Sequence, residues 1–327
     1  MPYAVVMGEA LVDLLERVDG DASTGERVYR EAIGGAPLNV AVGLARLGHA
    51  VEFVGSLGDD VLAGRIRTLL DGAGVSTRGC VVAGGPTTIA LTTFDGTEPD
   101  FHFYGEPPSY GRLRPTDVDT EMVAGAGVLS CGSIALLCPD ALAAARTAWA
   151  VPGPLRAFDP NVRARLLTDP AGYRRVVEEF AATADLVKLS VADAAALYDL
   201  EPAADPADPA DTAAEAAGAA GSRLLAAGAA AVVVTLGAGG ALVMDGSGPL
   251  RIPAPPVRAV DATGAGDATM AALLHGLLVR GGAPPDAAGW AEPVAFAMRV
   301  AGMVCEAPGG ATALPTRAAV SRRFPSL

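Results

Sequence analysis

The sequence predicts an α/β fold: a mainly parallel sheet covered by helices on both faces, with a small β flap projecting from it. Three observations carry that prediction. Runs rich in β-branched residues alternate with stretches whose apolar residues recur at helical spacing, which is how strand–helix units build a parallel sheet. Two segments, about 11–31 and 87–112, break the alternation with strands that no helix separates. Finally, 327 residues with 51% hydrophobic content supply a core that buries roughly three quarters of the unfolded chain's surface.

In chain order, residues 3–7 read as a buried strand, 37–47 as a helix, 51–54 as a strand and 61–70 as a helix. Residues 87–94 are rich in β-branched side chains, Asp95-Gly96-Thr97 is a turn, and 101–104 is its hairpin partner, which predicts an antiparallel flap. Strands at 128–130, 156–158 and 185–189 then alternate with helices at 139–149, near 173–181 and around 192–197. The Ala/Asp/Pro-rich stretch 201–211 reads as a surface loop before an Ala-rich helix. Residues 231–235 and 241–244 are strands, and 265–279 and 287–304 are helices.

Charge and cysteine usage narrow the function. A formal charge of −13 argues against nucleic acid, whose phosphates need a basic patch, yet leaves room for a small anion held locally. The N-terminal run has no basic flank and is interrupted by Glu9 and Asp13, so it does not read as a signal peptide. The most apolar stretch, 229–244, is broken by Gly237, Gly239 and Gly240 and is too short to span a bilayer. Cys80, Cys131, Cys138 and Cys305 form no CxxC pair and no metal-ligand spacing with the three histidines. These features describe a soluble, reduced, cytoplasmic protein without membrane or nucleic-acid partners.

The sharpest chemical signal is Val260-Asp261-Ala262-Thr263-Gly264-Ala265-Gly266-Asp267, followed by an apolar helix. Asp261 or Thr263 is positioned to cap that helix, and the small residues let backbone N–H groups approach a ligand closely. The first helical turn then offers unpaired donors at the positive end of the dipole, a setting for phosphate. Asp267 repels a phosphate that is merely bound there. It makes sense as the acceptor of a proton from a hydroxyl attacking that phosphate; the alternative is a capped helix with an acidic first turn.

A second cluster, Gly34-Gly35-Ala36-Pro37-Leu38-Asn39, pairs a tight turn with a proline placed to open a helix. Asn39 is then free to donate to and accept from a polyhydroxylated ligand, or simply to be solvated. Asp13 is a lone acid in an apolar run, and a carboxylate accepts from two vicinal hydroxyls at once. A Walker A loop is absent, because the single lysine, Lys188, has no Gly-rich loop before it. Met7-Gly8-Glu9-Ala10 stands where a dinucleotide fingerprint would follow the first strand, which disfavours an oxidoreductase.

Asp13, the 34–39 segment and the 261–267 motif, in this order and at these separations, resemble the ribokinase-like (PfkB) family of small-molecule kinases. Gly58-Asp59-Asp60 with Gly64, Gly74-Val75, Asp159-Pro160-Asn161-Val162-Arg163, Thr235-Leu236-Gly237-Ala238-Gly239-Gly240 and Pro308-Gly309-Gly310-Ala311 match as well, so the resemblance covers the whole chain, 1–327. It implies a three-layer α/β/α fold whose inserted strands form a lid that excludes water. It also implies that Asp267 is the general base and that the N–H groups of Gly264, Ala265 and Gly266 form the anion hole. Asp13, Gly34, Gly35 and Asn39 are implied as sugar ligands. Thr235, Gly237 and Gly240 are implied to line the ATP site, with residues 297–310 near the adenine and Lys188 and Ser190 as further nucleotide-side candidates.

Several positions depart from the family pattern. The magnesium-associated Asn-x-x-Glu corresponds to Ser190-Val191-Ala192-Asp193, where the shorter Asp193 is expected to act on Mg2+ through water. A monovalent-cation (K+) site is implied near Asp261 and Gly309; Ala262 neither supports nor excludes it. Ala36 and Pro37 replace the lysine typical of sugar-phosphate kinases, favouring an unphosphorylated acceptor. Gly105 replaces the arginine that follows the lid aromatics in 2-keto-3-deoxygluconate kinases, where it would face the acid's carboxylate. The resemblance is closest to the fructokinase branch, with fructose as the expected acceptor. Arg163, which occurs in both groups and would meet a carboxylate or the γ-phosphate, keeps the keto-deoxy acid open, alongside other sugars or nucleosides. Pro107-Pro108-Ser109-Tyr110 departs from the usual fructokinase lid. Phe101 and Phe103 alternate on one side of the lid, facing either sugar or flap packing, while His49, His102 and His275 read as structural. Lid strands in such kinases often pair between subunits, so a homodimer is expected. A sugar or nucleotide sensor on the same scaffold is the non-enzymatic alternative, disfavoured by Asp267.

Overall fold

A computed structural model describes residues 2–16, 27–95, 98–200, 209–307 and 313–325. The 96–97 part of the flap turn, residues 17–26, residues 201–208, Gly309, Gly310 and the side chain of Phe101 lie outside the described residues.

The strands are β1 (Ala4–Met7), β2 (Leu11–Glu16), β3 (Tyr29–Gly34), β4 (Val51–Leu57), β5 (Val75–Val82), β6 (Ile89–Asp95), β7 (Glu98–Tyr104), β8 (Val128–Gly132), β9 (Leu155–Asp159), β10 (Leu186–Ser190), β11 (Val232–Thr235), β12 (Ala241–Asp245) and β13 (Gly248–Ile252). The helices are α1 (Ala36–Arg46), α2 (Val61–Gly72), α3 (Thr120–Ala124), α4 (Pro139–Trp149), α5 (Pro170–Ala181), α6 (Val191–Tyr198), α7 (Pro209–Ala227), α8 (Ala265–Arg280), α9 (Ala291–Cys305) and α10 (Arg317–Arg323). The main sheet runs β13-β12-β11-β10-β9-β8-β1-β4-β5. It is parallel from β11 to β5, and β12 and β13 are antiparallel additions at one edge.

Burial explains the layers. β1, β4 and β8 are buried along their whole lengths, because helices cover both faces of a parallel sheet. Ala4 and Val6 of β1 join a core with α1, α2, α8, α9 and α10, while Val5 and Met7 join one with α4, α5, α6 and α7. This is the three-layer α/β/α arrangement the sequence predicts.

The flap is a second sheet ordered β3-β2-β6-β7. β2–β3 and β6–β7 are antiparallel, but β2 and β6 pair in parallel, which corrects the expectation of an antiparallel flap. The reason is topological: β3, α1, β4, α2 and β5 intervene between β2 and β6, and a crossover rather than a hairpin brings the second strand back in the same direction. Beneath the flap, Leu11, Ala90, Tyr110 and Ile134 form a small separate core, with Phe103 packed against it.

Other elements differ from the sequence reading. β5 and β13, which the pattern does not predict, are half-exposed strands at the sheet's two edges and lack the continuous apolar run of a central strand. The expected helix 287–304 is interrupted. Asp286 caps a short 3-10 turn by accepting from the Gly289 N–H at 2.8 Å, and α9 begins only at Ala291. Pro293 then sits in its first turn, where a missing N–H costs nothing. Among the described residues, no helix is long and apolar enough to cross a membrane.

Because β1, β8, β9 and β10 are mutually parallel, their C-terminal ends open on one side of the sheet, where open α/β sheets bind ligands. Glu9, Ser133, Asp159 and Ser190 stand at these ends, and the N-termini of α1 and α8 converge on them.

Candidate active site

α8 starts from a glycine turn rather than a side-chain cap. Gly264 is the N-cap, in the left-handed conformation (φ 81°), and no side chain caps the helix. Asp261 instead accepts from the Thr263 N–H at 2.8 Å, and Thr263 caps nothing, so the expectation that either residue caps α8 is corrected. The turn stops one residue upstream of where a cap would act and leaves the helix tip without a protein acceptor from a side chain. Ala265 donates to the Ala262 carbonyl at 3.1 Å, so of the three expected anion-hole residues its N–H is engaged within the turn.

Asp267, in the first turn of α8, is 7% exposed. Two amides hold its carboxylate: Asn39 Nδ2 donates to Oδ2 at 2.7 Å and Asn161 Nδ2 donates to Oδ1 at 3.3 Å. Burial pushes its pKa up, opposed by the Asn39 hydrogen bond and by the nearby charges of Lys188 and Arg163. A carboxylate of raised basicity, fixed by neutral donors at a helix tip, suits proton abstraction better than an ordinary one.

α1 delivers Asn39. Gly35, at φ 111°, is its N-cap, and a Cβ there would stand 2.5 Å from the Glu9 carbonyl oxygen. Pro37 falls in the first helical turn. Asn39 is buried, and its Oδ1 has no hydrogen-bond partner among the described residues, although buried polar atoms are nearly always paired. An acceptor left open beside Asp267 fits a ligand hydroxyl.

Asp13, on β2, also has no protein donor among the described residues, and burial raises its pKa to about 6, moderated by Arg163. A Cβ at Gly34 would meet Asp13 Oδ2 at 2.0 Å, so that glycine makes room for the carboxylate. Asp13 pairs with Ala90, and Ala90 with Phe103, so Asp13 and Phe103 lie in one cross-strand row on the same face of the flap. Phe103 is only partly buried.

The segment after β9 brings in Asn161 and Arg163. Asn161 adopts φ 37°, and its backbone N–H donates to Asp159 Oδ1 at 3.1 Å. The exposed Arg163 guanidinium donates to Asn161 Oδ1 at 2.5 Å, fixing the amide so that its nitrogen points at Asp267.

Lys188 on β10 is 2% exposed and pairs with Asp159 Oδ2 at 2.9 Å. Burial alone would depress its pKa, but Asp159, Asp193 and Asp267 outweigh that and hold it raised and charged. A Cβ on Gly266 would come within 3.0 Å of Lys188 Nζ, so the ammonium lies against the tip of α8. Ser190 caps α6 in a reciprocal capping box with Asp193. Asp193 accepts three protein hydrogen bonds: Oδ1 from Val162 N at 2.7 Å, and Oδ2 from Ser190 N at 2.7 Å and Ser190 Oγ at 2.6 Å. Both oxygens already accept from the protein, an arrangement compatible with a metal contact made through water.

On the expected nucleotide side, Thr235 ends β11, and the short turn Gly237–Gly239 follows it. Gly237 (φ 58°) faces open space, whereas a Cβ on Gly240 (φ 92°) would overlap the Ile252 carbonyl at 2.0 Å, so Gly240 is demanded by the close approach of β13. In the segment expected near the adenine, Ala297 is fully buried, while Arg299 and Met303 are partly exposed.

Three participants were given no role by sequence reasoning. Asn161 and Asp159 lie in a quoted motif without an assigned role, and Glu9 appeared only as an acid in the first segment. Glu9 is 2% exposed, and its carboxylate accepts from Ser133 Oγ at 2.6 Å, Ala36 N at 3.2 Å and Ala135 N at 3.3 Å. An acid directly after a buried strand was the available signal.

Comparisons with known proteins bear on the family and the fold. Residues 1–317 match the family described as pfkB family carbohydrate kinase. The chain is 30% identical over 328 residues to fructokinase-1 of Oryza sativa subsp. japonica, covering 98% of this chain and 97% of that one. It is 32% identical over 315 residues to a fructokinase of Klebsiella pneumoniae, covering 95% of each. Among solved structures, the ATP-bound fructokinase of Xylella fastidiosa superposes with a TM-score of 0.82 at 27% identity, over 98% of this chain and 97% of that one.

Proposed function

The chain belongs to the pfkB family of carbohydrate kinases, and from that premise we propose that it phosphorylates fructose at a primary hydroxyl, using the tip of α8 as the transfer site. It is an ATP-dependent sugar kinase. The fructose assignment is supported by the full-length similarity to fructokinases. Ala36 and Pro37, where a second phosphate would need a cation, support an unphosphorylated acceptor.

The observation that carries the reading is Asp267: a buried carboxylate one step inside an uncapped helix N-terminus, held by Asn39 and Asn161. The acceptor hydroxyl gives its proton to Asp267 as its oxygen bonds to the γ-phosphorus. The bond to the bridging oxygen breaks, and ADP leaves with that electron pair. Gly264 and Gly266 offer N–H groups to the transferring oxygens, and Ala265 joins them when its turn bond to Ala262 is exchanged for a ligand oxygen. Lys188, beneath Gly266, supplies positive charge from below, and Arg163 supplies it from the open side. Asp13, Gly34, Gly35 and Asn39 hold the sugar hydroxyls, and Phe103 borders the sugar on the flap. The flap acts as a lid that keeps water from the phosphoryl group.

Thr235, Gly237 and Gly240 border the nucleotide, with Ser190 ordering the α6 end. Mg2+ carried by the nucleotide would neutralise phosphate charge, with Asp193 orienting its water. A K+ ion at the Asp261 turn, lid-mediated dimerisation and a cytoplasmic location belong to the same proposal. ADP release from ATP-Mg with a panel of ketoses, aldoses, keto-deoxy acids and nucleosides tests the acceptor. Fructose should give the highest kcat/KM, and a faster acceptor defeats that choice.

A further inference from the structure

The two amides that hold Asp267 arrive on separate arms of the fold. Asn39 rides on α1, which begins at Ala36. Asn161 follows β9, and the Asp159 carbonyl at the end of that strand accepts from the Ser133 N–H at 3.0 Å. Glu9 touches both arms. Its Oε1 accepts from Ala36 N, the first N–H of α1, and from Ser133 Oγ, while Oε2 accepts from Ala135 N.

The packing around it leaves α1 no alternative seat. A Cβ at Gly8 would stand 2.4 Å from Pro37 Cγ, and one at Gly35 would stand 2.5 Å from the Glu9 carbonyl oxygen. The N-terminus of α1 therefore rests directly on the segment Gly8-Glu9-Ala10, with no side chain of its own capping it. A negative charge at that position also favours the helix dipole.

We propose that Glu9 is a positioning residue for phosphoryl transfer, a carboxylate clasp that joins the α1 arm to the Ser133–Asp159 arm and so fixes the two amides that orient Asp267. The inference rests on the reading of Asp267 as the base. Three donors converge on Glu9, so the acceptor-only, ionised form is the one that fits. A glutamine would turn an NH2 toward one of the two N–H groups, and a protonated carboxyl would turn its O–H the same way. Burial raises the pKa of Glu9 to about 7, with the Ser133 hydrogen bond opposing the rise, so loss of the clasp falls where an assay reads it.

The test compares wild type, Glu9→Gln, Ser133→Ala and Asp267→Asn in steady-state kinetics with ATP-Mg and the sugar that turns over fastest, from pH 5.5 to 9. Circular dichroism and thermal melts report folding. Wild-type kcat should fall below about pH 7. Ser133→Ala, which removes one hydrogen bond to the ionised carboxylate, should move that limb to higher pH. Glu9→Gln should lower kcat at pH 8 by roughly tenfold or more with little change in ATP affinity, and should lose the titration near 7. If Glu9→Gln does not fold, the Ser133→Ala shift alone decides. Wild-type kcat and an unshifted limb in both variants, while Asp267→Asn is inactive, overturn the clasp. An active Asp267→Asn overturns the base assignment instead.

Discussion

Two adjacent residues of β9, Phe158 and Asp159, are governed by opposite priorities. Phe158 stacks on Phe180 with ring centroids 5.1 Å apart and meets Trp149 edge-on at 6.1 Å. The Trp149 indole N–H is satisfied by Thr183 Oγ1 at 3.0 Å. Its surroundings are an apolar cluster with the polar handle paired, as packing for stability requires. One residue further on, Asp159 joins Asp13, Glu9, Asp193 and Asp267, with Lys188 buried among them and Arg163 at the rim. Burial raises the pKa of Glu9, Asp13, Asp159 and Asp267. Asn39 Oδ1 has no partner among the described residues. The difference teaches where the chain gives up stability: at the mouth of the sheet, ionisable groups are buried together, and Asp13 and Asn39 Oδ1 are left without a donor among the described residues.

Substitutions in the two environments should therefore separate rate from stability. The largest effect is expected for Asp267→Asn, which should cut kcat by roughly 10²- to 10⁴-fold, the usual worth of a general base, with nucleotide affinity little changed in a binding titration. The counterpart is Phe158→Ala, which should cost about 3–5 kcal/mol in denaturant unfolding while the fraction that remains folded keeps its kcat. If Phe158→Ala slows the chemistry instead, the division between the two environments fails.

Asp13→Asn should raise the KM for sugar by roughly 10- to 100-fold, as expected for hydrogen bonds to a charged group, and should also stabilise the protein at pH 8. The sign follows from linkage. The folded pKa of Asp13 rises from 3.8 to about 6 and that of Glu9 from 4.5 to about 7, so between these values the folded state binds more protons than the unfolded one. Their contribution to stability falls as pH increases through that window. The melting temperature of Asp13→Asn should exceed that of wild type at pH 8 and converge with it near pH 4; equal differences at both pH values would deny the burial penalty. The smallest effect is expected for Arg146→Ala. Its guanidinium bonds Glu179 twice, but both partners are about half exposed, and such surface pairs contribute at most about 1 kcal/mol.

What the sequence reveals follows the same division. The tip of α8 and the Gly35–Asn39 start of α1 were readable because each is a local pattern, in which glycine geometry and a polar residue sit within one turn, and Asp13 because it is an acid inside an apolar run. The Lys188–Asp159 pair and the Asn161–Asp267 contact were not, because their partners are separated along the chain by whole strand–helix units and meet only where parallel strands end together. Glu9 was hidden for the same reason: its donors, Ala36, Ser133 and Ala135, come from distant segments. The parallel pairing of β2 with β6 escaped because strand direction is set by the crossover between them rather than by the residues within them. β13 and the break before α9 escaped because an edge strand and a 3-10 turn carry little periodicity.

The central claim is that the alcohol loses its proton to the acid in the first turn of α8. A crystal structure with a non-hydrolysable ATP analogue and fructose tests it most directly. The predicted result is a sugar primary hydroxyl oxygen within about 2.6–3.2 Å of an Asp267 carboxylate oxygen, with the γ-phosphoryl group at the Gly264 and Gly266 N–H groups. A hydroxyl bound away from Asp267, with another side chain at hydrogen-bonding distance, would contradict it.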